Sequence, residues 1–135
     1  MLRSAMGEFM TIMKRVLVID DEAVVRESLE QYLEDCDYEV LTADNAIAAL
    51  QHLKKGKTFD IAVVDIRMPE MNGEDFILEA RRILPGLKFL IQTGTLDYYV
   101  NAPLQALGLT DNNVLKKPVF ELQTYVDKIE EILAQ

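Results

Sequence analysis

Val16-Leu17-Val18-Ile19-Asp20-Asp21 is a short apolar run that ends in two acidic residues, and Ile61-Ala62-Val63-Val64-Asp65 repeats the pattern with one. Continuous apolar runs of this length are typical of strands buried in a parallel sheet. If these strands lie side by side and parallel, the three carboxylates converge at one edge of the sheet. Lys117 lies near the end of another predicted strand, and we expect it to join them.

The charge of this acidic cluster indicates what it binds. Two carboxylates about 5 Å apart repel by roughly 3 kcal/mol at an effective dielectric constant of about 20. Three together therefore either raise one another's pKa or recruit a cation. Magnesium suits the cluster best, because it binds one or two carboxylates, keeps several waters and shares its remaining positions with phosphate oxygens.

Apolar runs and helical patterns alternate along the rest of the chain. The predicted strands cover residues 14–19, 38–43, 59–65, 87–92 and 113–115. The predicted helices cover residues 23–35, a segment from Asp44 or Asn45 to Gly56, and residues 74–84, 96–108 and 121–134. Five strands alternating with five helices predict a doubly wound α/β fold, in which a five-stranded parallel sheet carries helices on both faces.

In such sheets the functional crevice lies outside the carboxyl ends of the strands. Five polar residues fall at or just after the predicted strand ends: Asp20, Asp21, Asp65, Thr93 and Lys117. We therefore expect the chemistry of the protein at this edge of the sheet.

Size and composition favour one domain with a substantial core. The chain has 135 residues, half of them hydrophobic, and a net charge of −9, which argues against direct binding to nucleic acids or anionic membranes. A single cysteine cannot form an internal disulfide, and the apolar runs are too short to cross a bilayer, so a cytoplasmic location is expected. Residues 1–13 are predicted to be an N-terminal extension, in which Gly7-Glu8-Phe9 resembles a remnant of cloning, and residues 14–135 to form the domain.

Four motifs carry a resemblance to a known family. They are LVIDDE at residues 17–22, VVDIRMPEMNG at 63–73, QTGT at 92–95 and KKP at 116–118. In this order and spacing, they resemble the receiver domain of bacterial two-component response regulators, and the resemblance covers residues 14–135. It implies a flavodoxin-like fold with the strand order 2-1-3-4-5.

The resemblance also implies roles for the site residues. Asp65 corresponds to the phosphoacceptor, which takes a phosphoryl group from the phosphohistidine of a partner kinase. Asp20 and Asp21, with Asp65 and the backbone carbonyl of Arg67, correspond to the ligands of Mg²⁺. Lys117 and Thr93 correspond to the residues that bind the new phosphoryl group and relay the change to an output surface.

The implied protein is a phosphorylation-dependent switch rather than an enzyme, because it catalyses at most its own phosphorylation and dephosphorylation. The implied partners are a sensor histidine kinase or a histidine phosphotransfer protein. A second copy is a further implied partner, through the face formed by the fourth helix, fifth strand and fifth helix. The sequence is expected to carry no output domain of its own, and both a stand-alone regulator and a receiver from a longer protein stay open.

Several residues depart from the family pattern. Val114 stands where the family usually carries Tyr or Phe, and Gly94 stands where it prefers alanine. Pro103 lies inside the predicted fourth helix and is expected to shorten or kink it. Arg67 and Thr95 occupy positions that, in the family, tune how fast the phosphoryl group is lost.

Two other functions compete with this interpretation. A magnesium phosphohydrolase with an aspartyl-phosphate intermediate typically carries a second aspartate two residues after its nucleophile, and here that position is Arg67. A receiver-like module that binds partners without being phosphorylated is the other alternative. All five site residues are present, which favours the phosphorylated switch.

Overall fold

A computed structural model describes residues 13–135 of the protein. Five strands form one sheet: β1 Arg15–Ile19, β2 Glu39–Ala43, β3 Ile61–Asp65, β4 Lys88–Thr93 and β5 Val114–Lys116. All neighbours in the sheet are parallel, in the order β2-β1-β3-β4-β5. The helices are α1 Ala23–Asp35, α2 Ala46–Lys54, α3 Gly73–Ile83, α4 Ala102–Ala106 and α5 Gln123–Leu133. The predicted flavodoxin-like fold is confirmed. The predicted N-terminal extension lies outside the described residues except for Met13.

Helices cover both faces of the sheet because successive strand residues point to opposite faces. On one face, α2, α3 and α4 pack on a cluster that includes Leu17, Ile19, Ala62, Val64, Phe89 and Ile91. On the other face, α1 and α5 pack on Val16, Val18, Ile61, Val63 and Leu90. The central strand β3 contributes to both clusters and is buried along its whole length, which explains its uninterrupted apolar sequence.

The fourth helix is much shorter than predicted. It spans Ala102–Ala106 instead of residues 96–108, and Asn101 caps it by accepting a hydrogen bond from the N–H of Leu104 at 3.1 Å. Pro103 lies in its first turn, where a missing N–H costs little, so the helix begins here and residues 96–100 form a loop. Gly108, with φ of 94°, follows the end of the helix.

The connection into β5 also differs from prediction. A 3-10 turn spans Asp111–Asn113, so β5 begins at Val114 rather than at residue 113. The buried Asn113 side chain donates to the carbonyl of Phe89 at 2.9 Å and accepts from the N–H of Thr110 at 3.0 Å. These side-chain hydrogen bonds hold Asn113 in the turn.

The end of α5 is tied to the start of β4, at the edge of the sheet opposite the strand carboxyl ends. The ammonium of Lys88 donates to the backbone oxygens of Ile132 at 3.2 Å and Gln135 at 2.6 Å. Ile132 lies in the last turn of the helix and Gln135 follows its end, and a positive charge is favoured at this end of a helix. Within residues 13–135 no helix has the length and apolar character needed to cross a membrane.

Candidate functional site

The three acidic residues of the cluster lie together at the carboxyl ends of β1 and β3. One carboxylate oxygen from each of Asp20, Asp21 and Asp65 lies within 4.8 Å of the others. Asp20 and Asp65 are buried, whereas Asp21 is exposed and forms the open side of the cluster. The parallel pairing of β1 with β3 brings these residues together, since Ile19 lies opposite Val64.

The carboxylate of Asp20 is completely buried and held by three donors. Its Oδ1 accepts the N–H of Glu22 at 2.9 Å. Its Oδ2 accepts the side-chain amide of Gln92 at 2.8 Å and the ammonium of Lys117 at 3.0 Å. A buried carboxylate needs such partners, because an unpaired charge in the interior is costly. The orientation of Asp20 is therefore fixed before any ligand arrives.

The ammonium of Lys117 joins the two buried carboxylates. Its Nζ lies 3.0 Å from Oδ2 of Asp20 and 3.5 Å from Oδ2 of Asp65, with Glu22 at 3.7 Å. Burial alone would lower the pKa of Lys117, but the hydrogen bond to Asp20 and the charges of Asp20, Asp65 and Glu22 outweigh it and raise the pKa. The side chain is therefore a permanent positive charge in the site.

Asp65 ends β3 in a buried position that disfavours its ionised form. Burial raises its pKa, Lys117 opposes this effect, and the charge of Asp20 adds to it. Its Oδ1 accepts the N–H of Arg67 at 3.3 Å. The three carboxylates outnumber the one ammonium of Lys117 that lies against Asp20 and Asp65, so the cluster has an excess of negative charge. Three carboxylates in such surroundings fit a divalent cation with oxygen ligands.

The turn after Asp65 requires a glycine. A Cβ on Gly73 would lie 2.5 Å from the backbone oxygen of Asp65 and 2.9 Å from the side chain of Val64. Asn72 caps α3 by accepting the N–H of Asp75 at 2.9 Å, and the N–H of Gly73 donates to the carbonyl of Ile66 at 2.9 Å. The start of α3 therefore packs directly against the end of β3, at Val64 and Asp65.

Thr93 ends β4 at the same edge of the sheet and is almost fully buried. Its hydroxyl oxygen accepts the N–H of Thr95 at 3.1 Å, and its carbonyl accepts the N–H of Lys117 at 2.7 Å. Thr93 is thus bound to the backbone of Lys117. The roles of Thr93 and of the Arg67 carbonyl stay predictions.

The loop between β4 and α4 is held at both ends. The hydroxyl of Tyr98 donates to Oε2 of Glu74 at 3.1 Å, and the amide of Asn101 donates to the same oxygen at 3.0 Å. The ammonium of Lys116 donates to the carbonyls of Thr95 and Tyr98 at 3.1 and 2.9 Å, and lies 5.6 Å from the centre of the Tyr98 ring. The loop that contains Thr95 is therefore fastened to α3 and to β5.

Two buried polar residues of the site were missed in the sequence. Gln92 is completely buried, and its Oε1 accepts the hydroxyl of Tyr125 at 2.6 Å. The available signal was a glutamine at the end of an otherwise apolar predicted strand, residues 87–92. Tyr125 gave no signal, because its position on α5 is that of an ordinary core aromatic. Burial raises the pKa of Tyr125 to about 12, so its hydroxyl keeps its proton.

An apolar groove opens beside Lys117. It has a volume of about 550 Å³ and lies between α1 and the segment that leads from β5 into α5. Val24, Val25, Pro118, Val119 and Leu122 are among its lining residues.

The comparison that decides the family is a match to a family model. The model of the response regulator receiver domain matches residues 16–130, which is most of the chain. The chain belongs to the response regulator receiver domain family. This receiver domain is 36% identical over 121 residues to the response regulator receiver protein CpdR of Brucella abortus (strain 2308), which covers 90% of the chain and 98% of that protein.

Longer relatives and solved structures agree with this family. The receiver domain is 33% identical over 123 residues to a protein-glutamate methylesterase/protein-glutamine glutaminase from Burkholderia thailandensis, and it spans about a third of that protein's length, 34%. A solved structure of response regulator TrrA from Thermotoga maritima, in complex with Mg(2+)-BeF, superposes with a TM-score of 0.74 at 29% identity. That superposition covers 89% of this chain and 99% of the other.

Proposed function

We propose that this receiver domain is a phosphorylation-dependent switch in which Asp65 accepts one phosphoryl group in the presence of Mg²⁺. The observation that carries the proposal is the meeting of Asp20, Asp21 and Asp65 within 4.8 Å, with Lys117 3.0 Å from Asp20 and 3.5 Å from Asp65. Similarity to TrrA, whose structure contains Mg(2+)-BeF, supports it.

The proposed reaction is an in-line transfer to a carboxylate. An oxygen of Asp65 attacks the phosphorus of a phosphohistidine, and the new P–O bond forms as the P–N bond breaks. The leaving nitrogen of the imidazole keeps the electron pair of the broken bond and takes up one proton from solvent, so the histidine ends as a neutral imidazole. The chain itself supplies little chemistry beyond positioning and charge.

The residues around Asp65 divide that work. Lys117, already 3.5 Å from the Asp65 carboxylate, would pair with an oxygen of the arriving phosphoryl group. Asp20 and Asp21, together with Asp65 and the carbonyl of Arg67, would hold Mg²⁺. When bound, Mg²⁺ would supply the positive charge that neutralises the crowded oxygens. The N–H of Arg67 would hold the Asp65 side chain in position.

The output step would begin at Thr93. Its hydroxyl accepts the N–H of Thr95, and a phosphoryl oxygen at Asp65 would offer the same hydroxyl a stronger, charged acceptor for its own proton. Thr93 would then move with its loop. Because Val114 cannot perform the inward swing of an aromatic ring, the movement would pass through the loop and α4.

The phosphoryl donor would be a sensor histidine kinase or a histidine phosphotransfer protein, both of which carry the reactive imidazole on a partner chain. The apolar groove beside Lys117 offers such a partner a surface next to the acidic cluster. The net charge of −9 favours a protein partner over nucleic acid, and a cytoplasmic location follows from the donors named. The protein would act as a switch and not as a turnover enzyme, since Arg67 replaces the second aspartate of the phosphohydrolases.

The test is phosphorylation by a small acyl phosphate. Incubation with Mg²⁺ and acetyl phosphate should add one phosphoryl group in an intact-mass measurement, and the addition should be lost in Asp65→Asn or with a chelator. Asp44→Asn is the matched control, because Asp44 follows β2 at the same edge of the sheet but is exposed and outside the cluster. Unchanged labelling of Asp65→Asn would contradict the assignment. Turnover of a phosphomonoester would favour the phosphohydrolase, and a folded chain that accepts no phosphoryl group would favour the unphosphorylated module.

A further inference from the structure

A buried chain of hydrogen bonds connects α5 to the acidic cluster. The hydroxyl of Tyr125 donates to Oε1 of Gln92 at 2.6 Å, and Nε2 of Gln92 donates to Oδ2 of Asp20 at 2.8 Å. Tyr125 is 3% exposed, and Gln92 and Asp20 are fully buried. Because these groups are buried, each depends on its neighbour for a hydrogen-bond partner.

The direction of each hydrogen bond in this chain is fixed by its members. The Asp20 carboxylate can only accept, so the amide of Gln92 must present its NH₂ group to Asp20. The amide oxygen then points away from Asp20 and can only accept, and the hydroxyl of Tyr125 is the donor that meets it. A flipped amide would place two acceptor oxygens face to face beside Asp20. Asp20 therefore sets the orientation of the Gln92 amide, Tyr125 supplies the hydrogen bond to the remaining amide oxygen, and Gln92 in turn restrains Asp20.

Gln92 controls how Asp20 is presented to a cation. Lys117 and Gln92 both bind Oδ2 of Asp20, and the N–H of Glu22 binds Oδ1. Of these three donors, Lys117 is a charged side chain, Glu22 contributes a backbone N–H, and Gln92 is an uncharged side chain. Outer partners of this kind orient metal ligands, and their loss typically lowers metal affinity about 10–100-fold.

Tyr125 extends the chain into α5. It lies in the first turn of the helix, in the core cluster between α5 and the sheet. A cation bound to Asp20 attracts electron density from its carboxylate and so weakens Asp20 as an acceptor for Gln92. The change then passes through the Gln92 amide to the hydroxyl of Tyr125. Val114 has no aromatic ring that could relay a change at the site. The hydrogen bonds through Gln92 and Tyr125 therefore provide a separate physical connection between the acidic cluster and α5.

We propose that Gln92 is a positioning residue for the acidic cluster and that Tyr125 couples cation occupancy of the cluster to the first turn of α5. The inference rests on the proposed binding of Mg²⁺. It adds to that function an internal connection between the site and a helix on the opposite face of the sheet from α4.

A second tyrosine provides a matched control. The hydroxyl of Tyr32 donates to Oε1 of Gln123 at 2.6 Å and also connects to the start of α5, but this pair is exposed. Tyr32→Phe therefore removes the same type of hydrogen bond at the same helix without touching Asp20. Any effect of Tyr125→Phe that Tyr32→Phe lacks belongs to the buried chain.

The experiment measures Mg²⁺ binding and folding separately in the full chain, without a phosphoryl donor. Mg²⁺ is titrated into the wild type, Gln92→Met, Tyr125→Phe, the double variant and Tyr32→Phe. We expect Gln92→Met to raise the Kd for Mg²⁺ about tenfold or more, Tyr125→Phe to raise it by a smaller factor, and Tyr32→Phe to leave it unchanged. Amide NMR signals of residues 123–129 should shift with Mg²⁺ in the wild type and in Tyr32→Phe, and should not shift in Tyr125→Phe.

Urea unfolding separates positioning from a purely structural role. Each single variant leaves a buried polar partner unsatisfied, whereas the double variant removes both partners, so it should be more stable than the single changes predict when added together. Its Mg²⁺ affinity should nevertheless stay as weak as that of Gln92→Met. If Gln92→Met does not fold, the inference is tested with Tyr125→Phe alone, by its Kd for Mg²⁺ and by the amide NMR signals of residues 123–129.

Three outcomes would overturn the inference. Wild-type affinity in both Gln92→Met and Tyr125→Phe would show that Gln92 does not position Asp20. Recovery of affinity in the double variant, in step with its stability, would show that Gln92 acts only in folding. A folded wild type that binds no Mg²⁺ would remove the proposed cation function and this coupling together, and is distinguished from the other two by the wild-type titration.

Discussion

At the scale of single residues, the feature that matters most is that burying the ionised carboxylate of Asp65 destabilises the folded chain. Burial is the largest cause that raises its pKa above the ordinary value of 3.8, the charge of Lys117 opposes this effect, and the charge of Asp20 adds to it. The folded chain therefore binds this proton more tightly than the unfolded chain does. The corresponding stability is fully present below the ordinary pKa and is lost as the pH rises through the raised pKa of the folded state.

Asp65→Asn should therefore stabilise the protein at pH 7 in the absence of divalent cations. The asparagine has nearly the same shape and never ionises, so the variant escapes the cost of burying a charge. The advantage over the wild type should shrink as the pH falls through the raised folded-state pKa of Asp65, and it should be gone below the ordinary pKa of 3.8. Urea unfolding at several pH values in the presence of a chelator measures it, with the exposed Asp44→Asn as a control that should show no such trend. A variant less stable than the wild type at pH 7 would contradict the raised pKa.

At the scale of elements, the loop between β4 and α4 replaces two turns of the predicted helix. Its residues are fastened by Tyr98 and Asn101 to Glu74 of α3, and by Lys116 of β5 to the loop backbone. Burial, followed by the charge of Glu74, raises the pKa of Tyr98, which keeps the hydroxyl protonated as a donor. The loop is thus an ordered part of the site.

Tyr98→Phe should loosen this loop. The change removes the hydrogen bond to Glu74 and keeps the packing of the ring, so we expect a loss of about 1 kcal/mol in the free energy of unfolding. Amide hydrogen exchange of residues 95–101 should become faster. Tyr99→Phe, at a side chain that is 73% exposed, is the matched control and should leave both quantities unchanged. Equal exchange in the two variants would show that the Tyr98 hydroxyl does not hold the loop.

The elements that the sequence predicted well are those with a single dominant signal. Each apolar run became a strand of the central sheet, and the acidic cluster followed because Asp20 and Asp65 end neighbouring strands. The fourth helix was overextended, because the apolar pattern of residues 96–108 outweighed two local signals, the capping Asn101 and the Pro103 after it. The contact between Gln92 and Tyr125 joins residues 33 positions apart, and only the packing of α5 on β4 brings them together.

At the scale of the whole molecule, one sheet separates two hydrophobic clusters and presents its acidic residues at one edge. A ligand that binds this edge of the folded chain, and not the unfolded chain, stabilises both clusters, because they share the strands that carry the site. Cation binding should therefore raise the free energy of unfolding of the whole domain.

Mg²⁺ at ten times its Kd should raise the free energy of unfolding by about 1.4 kcal/mol, and with it the midpoint of thermal unfolding by a few degrees. Asp21→Asn should abolish the effect, because it removes one of the three carboxylates that would hold the cation. Asp21 is the exposed member of the cluster, so the change leaves the core intact. Sodium chloride at the same ionic strength controls for screening of the net charge of −9. Equal stabilisation by the two salts would argue against a specific site.

The contacts of Lys88 with the end of α5 and with Gln135 have a practical consequence for measurement. The backbone oxygen of Gln135 is held against the start of β4, and this six-residue strand puts about 20 Å between that point and the acidic edge. A fluorophore or an immobilisation handle joined after Gln135 would sit at the opposite end of the sheet from the acidic cluster. Binding kinetics could then be measured on the immobilised or labelled protein while the acidic cluster stays open to solvent.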